Sequence, residues 1–276
     1  MLRVAGAVTR AAGFYSTSLA LAVLFLFPMI WTTVSSVRGP SASGGSGAWG
    51  LENYRRLIGY GSGLGVYMLN TAIVSTITVV VTVVVTTLGA YAIVRFNFPG
   101  KNLLFLTTLM ILMVPHSTIL IPLYILLNWI GLQNSLLGLA LVLAMFQLPF
   151  GLFMMRNSFE ALPVALEEAA LVDGCGPTQV LRHVLLRGVA PGVVTVALFS
   201  FLTSWNEFVA PLIFITDDDK FTLPVALFNL QSGGLGSVDF GALLSGVVAA
   251  AIPCVALFLL LQPYYVRGFI RGALKG

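Results

Sequence analysis

Residues 102–155 read NLLFLTTLMILMVPHSTILIPLYILLNWIGLQNSLLGLALVLAMFQLPFGLFMM, 54 positions without one Asp, Glu, Lys or Arg. As a single helix this stretch would run about 80 Å at 1.5 Å per residue, far more than the roughly 30 Å of hydrocarbon in a bilayer. The polar, Gly-containing run Asn128 to Asn134, NWIGLQN, breaks it into two membrane spans. Working outward, residues 11–37, 57–94 and 240–266 are also free of charge, and the first and last of these each hold one span. The 57–94 interval opens on the flexible run GYGSGLG and becomes steadily apolar near Val66, so it holds one span. Its β-branched run Val79 to Thr87 is no argument for a strand, because in lipid only helices and closed barrels satisfy their backbone hydrogen bonds. A fifth span near 189–215 brings the count to six. The expected spans are about 11–36, 66–94, 103–127, 134–155, 189–215 and 240–266, in one membrane domain over 1–276, with one long polar interruption at 156–188.

Composition agrees. The chain is 58% hydrophobic and 9% charged, against about a quarter charged in ordinary globular domains. With six spans both termini share a side, and that side receives Arg3, Arg10, Arg95, Lys101, Arg156, Arg182, Arg187, Arg267, Arg271 and Lys275. The other side receives only Arg38, Arg55, Arg56 and Lys220, with the acidic cluster Asp217 to Asp219. Ten basic residues against four predicts cytoplasmic termini by the positive-inside bias, and makes the net charge of +4 a topology signal rather than a nucleic-acid footprint. Arg3 and Arg10 ahead of the apolar 19–30 run also resemble a signal peptide, with Ser41-Ala42-Ser43 as a conceivable cleavage site. An uncleaved first span preserves the charge asymmetry and is the preferred reading. Cys175 and Cys254 fall in different segments and imply neither a disulfide nor a metal site.

Several chemistries lack their residues. The G-x-x-x-x-G-K-[ST] pattern that cradles ATP phosphates is missing, as is H-E-x-x-H, and the two histidines, His116 and His183, lie on opposite sides of the expected topology. Gly61-Ser62-Gly63 lacks the outer glycine spacing of a nucleophile elbow. Helix-embedded carboxylates, common in proton-coupled carriers, reduce to Glu207.

The interruption predicts two short helices. Pro163 suits a first helical turn and Gly174 the position past a C-terminus, giving a helix over Pro163 to Asp173. A second begins at Pro177 and carries Val180, Leu181, Val184 and Leu185 on one face. A helix resting on lipid headgroups is rich in Lys and Arg. The first helix has neither, and carries Glu167, Glu168 and Asp173 beside small residues that suit docking into a groove on another protein.

Glu168-Ala169-Ala170, Asp173-Gly174 after two residues, and Val184-Leu185-Leu186 ten residues on together resemble the E-A-A-x-x-D-G…I-x-L-P loop of ABC importer permeases. Other landmarks resemble the maltose-type sugar permease branch: Asn53-Tyr54, Ala90-Tyr91-Ala92 with Arg95, Phe98-Pro99-Gly100, Pro115 and Pro122, Trp205-Asn206, Thr222-Leu223-Pro224, and the terminal Gly272-Ala273-Leu274-Lys275-Gly276. Arg187 stands where the family usually has proline, which bears on the return into the fifth span.

The resemblance implies an all-α integral membrane protein of the bacterial cytoplasmic membrane, with the six-helix type I ABC importer fold and a coupling-helix hairpin. It implies no catalytic site and no cofactor in this chain, with ATP and Mg carried by two partner nucleotide-binding ATPase subunits. A second permease subunit, an extracytoplasmic sugar-binding protein and the lipid bilayer complete the partners. The ATPase-coupling set it implies is Glu167, Glu168, Ala169, Ala170, Asp173 and Gly174. The substrate would be a mono-, di- or oligosaccharide, passing a pathway lined by polar residues that lipid would penalise. The candidates are Asn70, Gln147, Ser204, Trp205, Asn206 and Glu207, together with Thr71, His116, Ser117, Thr118 and Thr203. Trp205-Asn206-Glu207 could stack on and hydrogen-bond a sugar, or Trp205 could be an interfacial anchor with Asn206 on backbone. A secondary active transporter and an ABC permease for a non-sugar solute are the alternatives. The internal repeats common in secondary carriers are not visible between residues 11–127 and 134–266.

Overall fold

The computed structural model describes residues 2–39, 48–233 and 238–273, with side chains described only between 13 and 262. The conceivable cleavage site Ser41 to Ser43, the last three residues of the G-A-L-K-G tail and the side chains of Arg3, Arg10, Arg267 and Arg271 lie outside the described residues. Among the described residues there is no β-strand, only one isolated bridge between Arg38 and Trp49.

The helices are α1 (Leu2–Ser36), α2 (Glu52–Ile58), α3 (Leu64–Arg95), α4 (Lys101–Met110), α5 (His116–Trp129), α6 (Leu136–Glu160), α7 (Ala165–Val172), α8 (Pro177–Gly188), α9 (Ala190–Trp205), α10 (Val209–Phe214), α11 (Leu223–Gln231) and α12 (Phe240–Ala273). Among the described residues four segments are long and apolar enough to cross a membrane singly: Gly13–Ser36 of α1, α3, α6, and Phe240–Gln262 of α12. Two bent pairs pass the same test, Lys101–Met113 with α5 at 105° and α8 with α9 at 76°, which makes six spans when each pair counts as one.

The third span departs from the expected straight course, and so does the fifth, expected over 189–215 but stopping as a helix at Trp205 before a second helix at Val209. Both bends have a proline at or within two residues of the hinge. The third span, expected over 103–127, is broken at Val114 and Pro115. Proline lacks a backbone donor and drives its predecessor out of the helical region, and Val114 is extended at φ −84°, ψ 123°. The chain returns into the fifth span through Val189, with Pro191 in the first turn of α9, where a missing N–H costs nothing. Pro191 thus supplies the turn next to Arg187. The fourth span continues to Glu160, five residues beyond its expected end, where the Arg156–Glu160 pair (2.7 Å) supports the last turn and Arg156 lies 4.1 Å over the Phe105 ring.

The chain divides into two compact units. In the first, Met1–Leu64 with Leu227–Ile252, a small core joins Leu57, Leu230 and Ala242. Asn53, 1% exposed, donates to the Ser36 and Arg38 carbonyls at 2.8 and 2.7 Å, and Arg56 pairs with Asp239 at 3.0 Å.

The second unit, Gly65–Ala226 with Pro253–Gly276, holds two larger cores. One joins Val74, Leu120, Leu139, Leu143 and Phe214; the other joins Ala90, Met155, Phe159, Ala170, Val180 and Val196. Small residues let the helices approach closely, as in membrane bundles generally. A Cβ on Gly151 would lie 2.8 Å from Thr86, and one on Gly192 would strike Ser158. Thr78 donates to the Ala140 carbonyl at 3.1 Å, tying α3 to α6.

Candidate functional site

The hairpin α7–α8 hangs from α6 by the four residues Ala161 to Val164. Its first helix is shorter than the expected Pro163 to Asp173 at both ends, and it stops in a Schellman arrangement. Cys175 N–H donates to the Ala170 carbonyl and Gly174 N–H to the Leu171 carbonyl, both at 3.0 Å, with Gly174 at φ +86°. That left-handed conformation is the reason for a glycine there, since a Cβ on Gly174 would meet nothing within 4 Å. The second helix begins at Pro177 as expected, with Gln179 Oε1 accepting from Gly176 N–H at 2.9 Å. It passes through a π-helical turn over Val180–Leu185, whose wider winding brings residues five apart to one side. Val180 and Leu185 are both completely buried.

The six residues expected to couple divide by the phase of α7. Ala170 is buried, and Glu167 points into the chain, where its carboxylate lies 3.0 Å from Arg95 Nε. The side chains of Arg95 and Glu167 are 8% and 17% exposed. Glu168, Ala169, Asp173 and Gly174 are exposed, with Val172 (87%) and Leu171 beside them. Ala165, Glu168, Ala169 and Val172, spaced i, i+3, i+4 and i+7, form one outward helical face. Two residues that hold this arrangement, Tyr91 and Arg95, were visible in the sequence only as landmarks. Their signal was an Arg at the end of a span with a Tyr one turn before it.

The polar residues of the expected pathway separate in the same way. Asn70, 7% exposed, gives both amide hydrogens to the chain itself, at the carbonyls of Asp219 (2.8 Å) and Phe221 (3.0 Å). Beside it Tyr67 donates to Asp218 at 2.8 Å, and Thr71 accepts from Leu223 N–H at 2.8 Å. Ser204, 5% exposed, donates back to the Ser200 carbonyl of its own helix at 2.7 Å. Trp205 is buried and stacks on Phe201 at 5.3 Å, so this ring face is covered. Asn206 is exposed and closes α9 by donating to the Leu202 carbonyl, while Glu207 Oε1 accepts from Val209 and Ala210 N–H at 3.0 and 3.1 Å. The Trp-Asn-Glu run is therefore a break between α9 and α10, with the carboxylate capping the second helix. Gln147 is half-buried and bonded to no described residue, and His116, the first residue of α5 directly after the bend, stacks on Phe146 at 4.4 Å.

Opposite charges also order the loop between α10 and α11. Hydrogen bonds from Lys220 and then Asn134 hold the Asp217 carboxyl below its ordinary value, and Lys220 is correspondingly raised by its bond to Asp217. Among the described residues no three His, Cys, Asp or Glu side chains gather as a metal site.

An α-helical membrane protein with one span broken at a proline, and a helical hairpin that turns at a second proline into another span, is the class this geometry defines. Residues 85–271 match the family described as "Binding-protein-dependent transport system inner membrane component", and the chain belongs to that family of ABC importer permeases. It is similar to the trehalose/maltose transport system permease protein MalG of Thermococcus litoralis, 32% identical over 93% of this chain and 94% of the relative. It is also similar to the diacetylchitobiose uptake system permease protein NgcG of Streptomyces coelicolor, 31% identical over 92% and 85%. Among solved structures, a bacterial ABC transporter involved in import of the acidic polysaccharide alginate superposes at TM-score 0.79 with 20% identity, over 93% of this chain and 97% of that one. The six-span type I importer fold is thus the fold of this protein.

Proposed function

We propose that this chain is the membrane-spanning subunit of an ATP-driven sugar importer, forming half of the translocation pathway, with α7 as the element that docks on a separate ATPase. The observation that carries this reading is the outward face of α7, Glu168, Ala169, Val172 and Asp173, left open by a helix whose other face is fixed to its own chain. Relatives named for trehalose, maltose and diacetylchitobiose support a sugar as cargo. The basic-residue asymmetry supports cytoplasmic termini and, with them, a hairpin on the side where an ATPase can reach it.

In this reading two ATPase subunits hold ATP and Mg, a second permease supplies the other half of the pathway, and an extracytoplasmic binding protein delivers the sugar. ATP and the loaded binding protein must each favour the same conformational state for hydrolysis to drive uptake. Glu168 and Asp173 offer charge to the ATPase, Ala169 permits close approach, and Gly174 sets the turn. Gln147 is the member of the polar set whose side chain remains available to cargo, and Asn206 is exposed but already donates to the Leu202 carbonyl. Asn70 and Glu207 serve the chain's own backbone.

The test is capture and uptake. A tagged chain should bring down a second permease and an ATPase, and a strain lacking the chain should lose uptake of radiolabelled trehalose, maltose or diacetylchitobiose. Capture of an ATPase with no sugar affected across a panel of mono-, di- and oligosaccharides would overturn the sugar assignment, and a chain that purifies alone would overturn the importer reading.

A further inference from the structure

The foot of α3 grips both arms of the hairpin. Arg95 pairs with Glu167 on α7 at 3.0 Å, and its Nη2 also donates to the carbonyls of Phe159 (3.4 Å) and Leu162 (3.2 Å) at the end of α6. One turn earlier, the Tyr91 hydroxyl donates to the Pro177 carbonyl at the start of α8, at 3.5 Å. Residues four apart share a helix face, so a single edge of α3 meets α7, α8 and the α6 connection at once. Tyr91 is further braced by Phe96 and Phe159, with ring centroids 5.5 and 5.8 Å away.

Beyond this grip α7 is held by Ala170, which packs in one core with Val180 and Leu185 of α8. No side chain caps its N-terminus, and Ala170 is its one buried residue. Removing one member of a buried ion pair leaves the other charged and poorly solvated, so the surviving partner seeks water rather than its old place.

We propose that Tyr91 and Arg95 form a clamp that makes the hairpin and α3 move as one body, with Glu167 as a positioning residue. A push on the outer face of α7 then reaches the membrane through α3. The proposal rests on the docking role of α7 given above. It assigns the two adjacent glutamates different tasks: Glu168 meets the ATPase, and Glu167 fastens the helix that presents it. The coupling passes through a contiguous set of contacts whose members can be exchanged one at a time.

The test uses the complex captured by a tag on this chain, reconstituted in liposomes with its binding protein and whichever radiolabelled sugar of that panel wild type carries. Glu167→Gln and Arg95→Gln should capture the ATPase in wild-type amounts yet raise the ATP hydrolysed per sugar carried about tenfold, within the usual range of allosteric coupling. The charge exchange Arg95→Glu with Glu167→Arg should restore the ratio, and Tyr91→Phe should raise it less than either single charge change. Unchanged ratios in both single variants overturn the clamp, as does an exchange variant that captures the ATPase but keeps the high ratio. Lower capture in the single variants with a normal ratio per captured complex also overturns it, leaving the pair a merely structural role. A wild-type complex that captures no ATPase, or carries no sugar of the panel, instead overturns the reading of function on which the clamp depends.

Discussion

The hairpin α7–α8 and the loop between α10 and α11 are both polar excursions from the second unit, and they use their polar groups in opposite ways. The loop turns them inward: Asn70 holds the carbonyls of Asp219 and Phe221, Tyr67 holds Asp218, and Asn134 Oδ1 accepts from Thr216 and Asp217 N–H at 3.0 and 3.4 Å. The hairpin is held on one face through Glu167 and Ala170 and shows Glu168, Ala169 and Asp173 on the other. A segment whose bonding capacity is filled by its own chain is a fixture. One that fills half of it is available to a partner.

That contrast can be broken from either side. The largest effect is expected from Arg95→Ala, which strands the Glu167 carboxylate. A loss of about 3 kcal/mol of local stability should appear as protease cleavage between α6 and α8 in detergent, while the α10–α11 loop stays protected. Asn70→Leu reverses the pattern. Losing two hydrogen bonds at about 1 kcal/mol each should open the 216–223 loop to proteolysis and slow uptake, with ATPase capture unchanged. Gly174→Ala forces a side chain into the left-handed region at a cost of about 1 kcal/mol. The chain should remain in the membrane, but ATPase capture and uptake should both fall; normal uptake with normal expression would count against the docking role of this turn.

Glu168→Gln should change thermal stability by less than about 0.5 kcal/mol, as for an exposed site, yet reduce ATPase capture. This outcome separates the outward glutamate from its inward neighbour. The smallest effect concerns Asp217, whose carboxyl is held below its ordinary 3.8 by Lys220. A depressed carboxylate stabilises the folded loop above pH 3.8 and loses that contribution as pH falls through its lower folded value. Protection against hydrogen exchange at Thr216 to Lys220, measured relative to the free-chain rate at each pH, should therefore fall below about pH 4.

Much of the fold was legible because charge is so costly in hydrocarbon that its absence marks the spans directly. The bends were less so. Pro115 and Pro122 were both visible in the third span, yet only the first opens it. Pro122 sits inside α5 without ending it, and nothing in the sequence ranks the two prolines. In the candidate site the residue types were legible and their directions were not. Glu167 and Glu168 look equivalent in sequence, and which one faces inward depends on the phase of α7 and on an Arg more than seventy residues away. Trp205-Asn206-Glu207 stood out as a polar group in an apolar span. That its carboxylate caps α10 could be read only once α9 was seen to stop at Trp205. Asn70 looked like a lining residue because the loop it fastens is about 150 positions downstream.

The 105° bend at Val114 and Pro115 also bears on biogenesis. Lys101–Met113 and His116–Trp129 are each about 20 Å long, too short to cross the roughly 30 Å hydrocarbon layer alone. Neither half is a stable stopping point for a nascent chain leaving the ribosome. The third span is therefore expected to settle as a pair, held by α6 through the core formed by Leu120, Leu139 and Leu143. A chain halted just after Trp129 should stay anchored through α1 and α3 but leave residues 101–129 open to water-soluble probes, and one extended through Glu160 should protect them.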